Sequence, residues 1–305
     1  MSELILHHYP PSALSEKIRV ALGLKGLSWK SVEIPRVPPK PDVMPLTGGY
    51  RRTPIMQIGA DIFCDSQMIL IELERRYPSS HVSLLKIINT NAWTDSLVTK
   101  LIGVAIAESS DQFPQEWLND RIQLFFGGDF DLEEAKIRIP HLFAQVQLHF
   151  QWANEEIKKN GGFLSGSIPS SCDASFFYLP WFIRRRWKHG EAFLSRFPLV
   201  LDWEKRIAEI GHGESSSLSA QDALDVARES KPDTNTHVDP TDPQNIQLGD
   251  KVSVVFDENS GEAPVTGTVR YLDSYQIGID REDDRVGAVC VHFPRLGYLI
   301  TKHVG

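Results

Sequence analysis

The chain has 305 residues, and a prior of roughly 150 residues per domain predicts two domains or two domains with a small addition. Hydrophobic residues make up 41% of the chain and charged residues 24%, which excludes a collagen-like or wholly disordered protein and predicts a globular one with a sizeable core. The 40 acidic residues exceed the 32 basic ones, and the net charge of -8 argues against nucleic acid and an anionic membrane as partners.

The cysteines and the first residues bear on the cellular compartment. Cys64, Cys172 and Cys290 are odd in number and far apart, with no CxxC pair and no Cys/His cluster of the spacing that holds zinc. Unpaired thiols fit a reducing compartment. Residues 1–6 lack a basic segment, and no apolar stretch approaches 18 residues. We therefore expect a cytoplasmic protein with no metal ion.

The first 78 residues predict alternating strands and helices. Apolar runs, period-two positions and turn residues separate the elements, and Asp65 with Ser66 precedes a helical pattern as a capping pair does. The predicted elements are a strand at 4–6, a helix that follows Ser12–Ser15 and ends near Gly26, a strand at 29–34, a hairpin of strands 55–58 and 62–64, and a helix from 66 to 77. The order βαβ followed by ββα predicts an α/β layer of about four strands.

Residues 82–228 show a helical pattern instead. Trp93, Leu97 and Leu101 recur every four residues, which predicts a second domain of five or six helices, with no strand before residue 250. Within it, Ser170 and Asp173 stand three residues apart ahead of an apolar run. This spacing predicts a capping box that serves folding.

The last part of the chain changes character twice. Residues 229–246 are polar and rich in Pro, Asp and Thr, which predicts a linker. Residues 247–305 contain short alternating strands, which predict a small all-β domain, of which an SH3-like barrel is one form. His292, Arg295 and Tyr298 are candidates for a contact site there, although closing the barrel is the favoured interpretation. Acidic residues outnumber basic ones in this segment, so it lacks the charge of a nucleic-acid-binding barrel.

Four motifs together resemble one known family. They are His8 to Arg19, Gly48 to Met56, Cys64-Asp65-Ser66, and the Ser170 to Asp173 box. In this order and spacing, residues 1–78 resemble the thioredoxin-like domain of the glutathione S-transferases, and residues 82–228 resemble their all-helical second domain. The resemblance covers about three quarters of the chain. The added β domain departs from the usual two-domain plan and is similar to extensions of some microbial glutathione-transferase-like proteins.

The resemblance implies a residue that meets the glutathione sulfur. In the family this residue lies in the turn after the first strand, and the position falls on Ser12. Ala13 and Leu14 stand where Pro-Phe is frequent, so Ser15 and Tyr9 are alternatives. Ser12 or Ser15 also has a simpler interpretation, as the cap of the first helix.

The resemblance also implies a set of glutathione-binding residues. Thr53-Pro54 matches the X-Pro whose cis bond exposes backbone groups to the cysteinyl part of glutathione. Asp65 and Ser66 match the acid-Ser pair for the γ-glutamyl group, although such a pair at a helix start is also an ordinary cap. A basic residue that faces the glycyl carboxylate is implied at Arg52, with Arg51 beside it and Lys40 as a weaker candidate, the alternative being surface cations.

Three functions follow from these residues as hypotheses. The first is a glutathione transferase of detoxification that binds glutathione as co-substrate and directs its thiol at a small hydrophobic electrophile or a peroxide. The second is a non-catalytic adaptor that uses the β domain for protein contacts. A reductase that forms a mixed disulfide is disfavoured, because no cysteine lies at positions 12–15. The family also implies a homodimer.

Overall fold

A mixed sheet of eleven strands organises the first of two compact units in the computed structural model, which describes residues 3–257 and 261–303. This unit comprises residues 1–15, 28–72 and 214–305, and the second unit comprises residues 16–27 and 73–213. The chain thus contains the predicted thioredoxin-like, helical and C-terminal β parts. The C-terminal β strands belong to the same unit as the N-terminal strands.

Four strands from the first part of the chain form the thioredoxin-like region. The strand β1 (Ile5–His8) pairs in parallel with β2 (Ser28–Glu33) and antiparallel with β3 (Ile55–Ile58). A tight hairpin joins β3 to β4 (Asp61–Cys64). Two helices of this region are α2 (Met44–Thr47) and α3 (Ser66–Arg76), of which α3 ends in the second unit.

Five strands near the C-terminus extend the same sheet. They are β7 (Lys251–Phe256), β8 (Val265–Leu272), β9 (Gln276–Asp283), β10 (Gly287–Pro294) and β11 (Tyr298–Lys302). The strand β10 pairs antiparallel with β9 and in parallel with β4, where Cys290 is opposite Asp61. Among the described residues these five strands pair in the order β11-β7-β8-β9-β10, so the last strand pairs with the first. The other side of β10 pairs with β4.

Two short strands lie where no strand was predicted, and the expectation of a strand-free stretch up to residue 250 is wrong. The strand β5 (Glu214–Ser217) pairs in parallel with β2 at one edge of the sheet, and β6 (His237–Val238) pairs with β8. The helix α11 (Ala220–Glu229) lies between them in the chain. The four residues of β5 are polar and exposed, so backbone pairing rather than an apolar pattern forms this strand.

One apolar core serves the whole first unit. It contains buried residues of the N-terminal strands together with residues of the C-terminal strands. Its members include Ile5, Val32, Ile55, Ile62, Val252, Val269, Ile279, Val289, Val291 and Phe293. Because burying each such side chain stabilises the fold by about 1.5 to 3 kcal/mol, the N-terminal and C-terminal strands stabilise each other.

The second unit is helical. The helix α1 (Ala13–Leu24) begins in the first unit and lies mostly in the second. It is followed there by α4 (Leu84–Asp95), α5 (Val98–Ser109), a 3-10 turn (Ser110–Gln112), α6 (Gln115–Phe126), α7 (Leu132–Lys159), α8 (Ser171–Arg186), α9 (Gly190–Leu194) and α10 (Pro198–Ile210). With α11 of the first unit, residues 82–228 hold eight described helices, more than the five or six predicted. No helix of the described residues has the length and apolar character needed to cross a membrane.

The predicted capping box begins α8. Asp173 accepts hydrogen bonds from the backbone N–H groups of Ser170 and Leu164, at 2.9 Å each, and from Nε1 of Trp203 at 2.8 Å. The side-chain oxygen of Ser170 accepts a bond from the backbone of Cys172. The box therefore joins the start of α8 to the loop before it and to α10, which confirms the predicted capping box.

Candidate functional site

Three loops with predicted site residues leave the sheet at the same end. His7 of β1 is opposite Ile55 of β3, and Ile55 is opposite Cys64 of β4. The end of β1, the start of β3 and the end of β4 therefore lie side by side. The turn Tyr9–Ser12, the pair Thr53-Pro54 and the pair Asp65-Ser66 come directly after or before these strand ends.

Ser12 is the first residue of this cluster along the chain. Its Oγ accepts a hydrogen bond from the backbone N–H of Ser15 at 3.2 Å, and its own N–H donates to the carbonyl of Tyr9 at 3.1 Å. Ser12 therefore caps α1 through an oxygen lone pair, and this bond does not use its hydroxyl proton. The alternative Ser15 is completely buried, and its Oγ has no hydrogen-bond partner among the described residues.

Lys40 holds the loop that leads into β3. Its ammonium donates to the carbonyl of Arg51 at 2.8 Å and to Oγ1 of Thr53 at 3.1 Å, and it lies 5.9 Å from the ring centre of Tyr9. The side chain is buried. The bond between Thr53 and Pro54 is cis, as the family resemblance implied. Lys40 thus joins three segments of the site.

The two arginines of the site face a carboxylate of their own chain. Nε of Arg52 lies 2.6 Å from Oε2 of Glu262, and Nε of Arg51 lies 4.0 Å from Oε1. The Arg52 guanidinium also packs 4.1 Å from the ring centre of Phe256. Burial by itself lowers the pKa of Arg52, but Glu262 raises it above its ordinary value. The arginines implied to bind the glycyl carboxylate of glutathione therefore already face the carboxylate of Glu262.

Asp65 has partners on both carboxylate oxygens. Oδ1 accepts a bond from the backbone N–H of Gln67 at 2.8 Å, which caps α3, and Oδ2 accepts a bond from the Tyr298 hydroxyl at 2.9 Å. The backbone of Asp65 is left-handed, with φ of 79°, a conformation that Asp tolerates. Ser66 beside it is buried.

The hydroxyls of Tyr298 and Tyr50 lie 3.5 Å apart beside this carboxylate. Burial, together with the Asp65 charge, raises the pKa of Tyr298 and of Tyr50 well above the ordinary value of a tyrosine. Both hydroxyls are therefore protonated at neutral pH. Tyr298 is a hydrogen-bond donor in the site.

The pairing of the C-terminal strands places Tyr298 and Glu262 near the predicted site residues. Because β10 runs parallel to β4, it ends at the same end of the sheet, and a short loop leads from it to Tyr298 at the start of β11. Phe256, the last residue of β7, is opposite Tyr298, and Glu262 follows β7 in the sequence. Sequence reasoning missed Glu262, since 210 residues separate it from Arg52 and only the strand register brings them together.

The three C-terminal residues named as a contact site have separate partners. Tyr298 contacts Asp65, whereas the Arg295 guanidinium donates to Asp242 at 2.7 Å. The His292 ring bonds to Asp61 at 2.9 Å. Only Tyr298 joins the cluster formed by the predicted glutathione-binding residues.

The family model named "Glutathione S-transferase, N-terminal domain" matches residues 6–81. No curated protein sequence matches the chain. Among solved structures, a glutathione-S-transferase-like protein from Pseudomonas syringae is 32% identical in sequence, with a TM-score of 0.74. The match covers 99% of this chain and 100% of that one.

Two other solved structures share the fold at lower identity. The beta-etherase LigF from a Sphingobium strain is 18% identical, with a TM-score of 0.51, and the match covers 69% of this chain and 98% of that one. A glutathione S-transferase from Rhodospirillum rubrum is 17% identical, with a TM-score of 0.52, and the match covers 67% of this chain and 87% of that one. Both matches leave roughly a third of this chain uncovered, unlike the Pseudomonas protein.

Proposed function

The chain belongs to the glutathione S-transferase family, and on this premise we propose that it binds glutathione in its first unit and activates the thiol for attack on a small hydrophobic electrophile or a peroxide. The observation that carries the proposal is the meeting of the Ser12 turn, the cis Thr53-Pro54 pair and the Asp65-Ser66 pair at one end of the sheet. Family membership also supports a homodimer in the cytoplasm as its working form.

Each part of glutathione has a complementary group in this proposal. Asp65 binds the ammonium, while Ser66 and the N-terminus of α3 bind the γ-glutamyl carboxylate. The backbone at Thr53-Pro54 pairs with the cysteinyl amide. Arg52, assisted by Arg51, binds the glycyl carboxylate, which takes the place of Glu262. Lys40 positions this loop through its bonds to Arg51 and Thr53.

Ser12 supplies the activation of the thiol. A free thiol titrates near 8.5, and lowering this pKa by about 2 units requires about 2.7 kcal/mol of preference for the thiolate. One hydrogen bond to an ion supplies about 1.5 to 3 kcal/mol, and a helix N-terminus adds about 0.3 to 1 kcal/mol. The Ser12 hydroxyl, at the start of α1, offers both. The thiol proton leaves to water, and the thiolate forms a C–S bond as the leaving group departs with its electron pair.

Calorimetric titration of the full chain with glutathione tests the proposal. We expect saturable binding at micromolar to millimolar glutathione that Asp65→Asn weakens, because the ammonium loses its counter-charge. Asp222→Asn, on the exposed start of α11, is the matched control and should bind as the unaltered chain does. Absence of heat at millimolar glutathione would exclude this function.

A second candidate is the non-catalytic adaptor, and one observation favours it. Arg52 and Asp65, which would hold the two ends of glutathione, already have internal partners in Glu262 and Tyr298. Satisfied polar groups have less need of a ligand. The same titration decides between the candidates, since an adaptor whose site is filled by its own side chains gives no heat.

A further inference from the structure

Three side chains with metal-binding atoms meet where β4 joins β10. Asp61 is the first residue of β4 and is opposite Cys290 in the parallel register, while His292 is opposite Phe63 two residues further on. The Cys290 sulfur, a ring nitrogen of His292 and a carboxylate oxygen of Asp61 all lie within 4.8 Å of one another. Since side chains alternate along a strand, Cys290 and His292 point to the face opposite the core residues Val289 and Val291.

The cluster is buried and its ring is held in place. The residues Cys290, Asp61 and His292 are 0%, 6% and 8% exposed. Nε2 of His292 lies 2.9 Å from Oδ1 of Asp61, and the Phe63 ring stacks on the imidazole at 4.5 Å between centres. The backbone N–H of Asp233 donates to Oδ2 of Asp61 at 2.9 Å, so residues at an exposed surface segment separate the cluster from solvent.

The second ring nitrogen provides an independent observation. Nδ1 of His292 is buried and has no hydrogen-bond partner among the described residues, a state that ordinarily costs about 1 to 3 kcal/mol. A Cβ atom built on Gly278 would lie 3.1 Å from this nitrogen and 3.3 Å from the Cys290 sulfur. Both donor atoms therefore pack closely against Gly278, and a side chain at this position would crowd them.

The chemistry of the donors selects the ion. Thiolate, imidazole and carboxylate are the ligands that zinc prefers, whereas magnesium and calcium avoid sulfur. Donor atoms on one tetrahedral zinc ion lie roughly 3.2 to 3.8 Å apart, as bond lengths near 2.0 to 2.3 Å require. Donor atoms up to 4.8 Å apart therefore need to approach one another by at most about 1 to 1.6 Å. A hydrogen-bonded cluster without an ion would also explain the contacts of the His292 ring with Asp61 and Cys290, so a cobalt titration distinguishes it from a metal site.

We propose that Cys290, His292 and Asp61 form a binding site for a zinc-class divalent ion, separate from the glutathione site. The sequence concealed it because Asp61 is 231 residues from His292 and no Cys/His pair has the usual zinc spacing. The ion joins β4 of the N-terminal region to β10 of the C-terminal region. It acts as a structural link within the sheet.

Titration of the full chain with Co²⁺, the spectroscopic substitute for Zn²⁺, tests the site directly. We expect sulfur-to-cobalt charge-transfer absorption that saturates at one ion per chain and disappears when Zn²⁺ is added. Cys290→Ser and His292→Gln should abolish the band, while Cys64→Ser and Cys172→Ser, which remove the other two buried thiols, should retain it. Absence of the band in the unaltered protein, or its persistence in Cys290→Ser, would overturn the proposal.

Two further variants keep all of the thiols, so they test the site without removing a sulfur ligand. Asp61→Asn should weaken Co²⁺ binding by about 10- to 100-fold, as loss of a carboxylate that binds or orients the site does. Gly278→Ala keeps every donor but crowds Nδ1 of His292 and the Cys290 sulfur, and we expect at least about a tenfold loss of affinity. Circular dichroism confirms folding of each variant. Unchanged affinity in both variants would also overturn the site.

Discussion

Arg52 is the side chain on which the two candidate functions differ most. Its ion pair with Glu262 is largely shielded from water, so a ligand carboxylate must displace the internal one. We predict that Glu262→Gln binds glutathione about tenfold or more tightly, because the competing charge is removed and each 1.4 kcal/mol corresponds to a factor of ten. The same change should lower the stability of the ligand-free chain, since it removes the Glu262 charge from beside the buried Arg52 guanidinium. Calorimetry and urea unfolding measure the two effects.

Glu282→Gln is the control for this prediction, because Glu282 is an exposed carboxylate of the same unit. It should change neither affinity nor stability by a measurable amount. If Glu262→Gln binds glutathione no better than Glu282→Gln, Arg52 does not take the glycyl carboxylate.

Removal of the Ser12 hydroxyl tests whether this side chain activates the thiol. Ser12→Ala should keep glutathione binding, whereas turnover at pH 7 should fall by about 10- to 100-fold, as the loss of a hydrogen bond of about 1.5 to 3 kcal/mol to the thiolate requires. The pH profile should shift upward, because the thiol then titrates nearer its free value. Turnover of an aryl chloride as a function of pH measures both changes.

Ser15→Ala is the matched variant, since Ser15 lies in the first turn of the same helix but is completely buried. It should leave turnover and its pH profile unchanged. The reverse pattern, with loss in Ser15→Ala and none in Ser12→Ala, would transfer the role to Ser15.

At the scale of elements, Glu74 of α3 joins three segments of the second unit. Its carboxylate lies 2.7 Å from the Lys25 ammonium after α1, and it accepts bonds from Ser171 of α8 at 2.5 Å and from the N–H of Ser79 at 2.9 Å. Burial by itself raises the pKa of Glu74, but these partners lower it below its ordinary value. The ionised form is therefore the one that stabilises the folded chain.

The pH dependence follows from the sign of this shift. Because the pKa of Glu74 is lower in the folded chain than in the unfolded chain, where it is about 4.3, its charge stabilises the fold at any pH above that unfolded-state pKa. This stabilisation is lost as the pH falls through the pKa of the folded state. Glu74→Gln should cost about 3 kcal/mol of unfolding free energy at pH 7, because it breaks a buried pair. The difference in unfolding free energy between Glu74→Gln and the unaltered chain should become smaller as the pH falls below 4. Urea unfolding across this range measures it.

Glu133→Gln supplies the control, because the ion pair of Glu133 with Lys136 on α7 is exposed. Such a pair contributes about 0 to 1 kcal/mol, so this variant should show little loss at any pH. If the difference in unfolding free energy between Glu74→Gln and the unaltered chain stays constant down to pH 3, the charge of Glu74 does not stabilise the fold.

Local patterns predicted the elements that local contacts form. The 55–58 and 61–64 hairpin depends on alternation about a glycine turn, and the capping box at Ser170 depends on two residues three positions apart. The strand β5 was missed because Glu214–Ser217 has no apolar alternation and forms by pairing with β2. Period-two reasoning detects strands that bury one face, so it cannot detect an exposed edge strand.

For the molecule as a whole, sequence patterns did not predict which distant strands pair or in which register. Strand patterns predicted β4 and β10 separately, but nothing local specifies that Asp61 pairs with Cys290 across the sheet. Family motifs therefore located Ser12, Thr53-Pro54 and Asp65-Ser66, while the partners from the C-terminal strands required the structure. Glu262 and the metal-binding cluster depend on that same pairing.

The shared sheet makes a prediction about the independence of the C-terminal strands. A chain that ends at Glu229 keeps β1 to β5 but loses every C-terminal strand of the common core, so Ile62 and Ile55 lose apolar cover and β4 becomes an unpaired edge. We expect its melting temperature to fall by at least about 10 °C, and the exposed edge should cause self-association. Co-expression of residues 230–305 should restore both properties, because pairing of β10 with β4 needs no continuous chain. Calorimetry and sedimentation measure these outcomes, and a truncated chain that melts as the full one does would show that the C-terminal strands are an independent appendage.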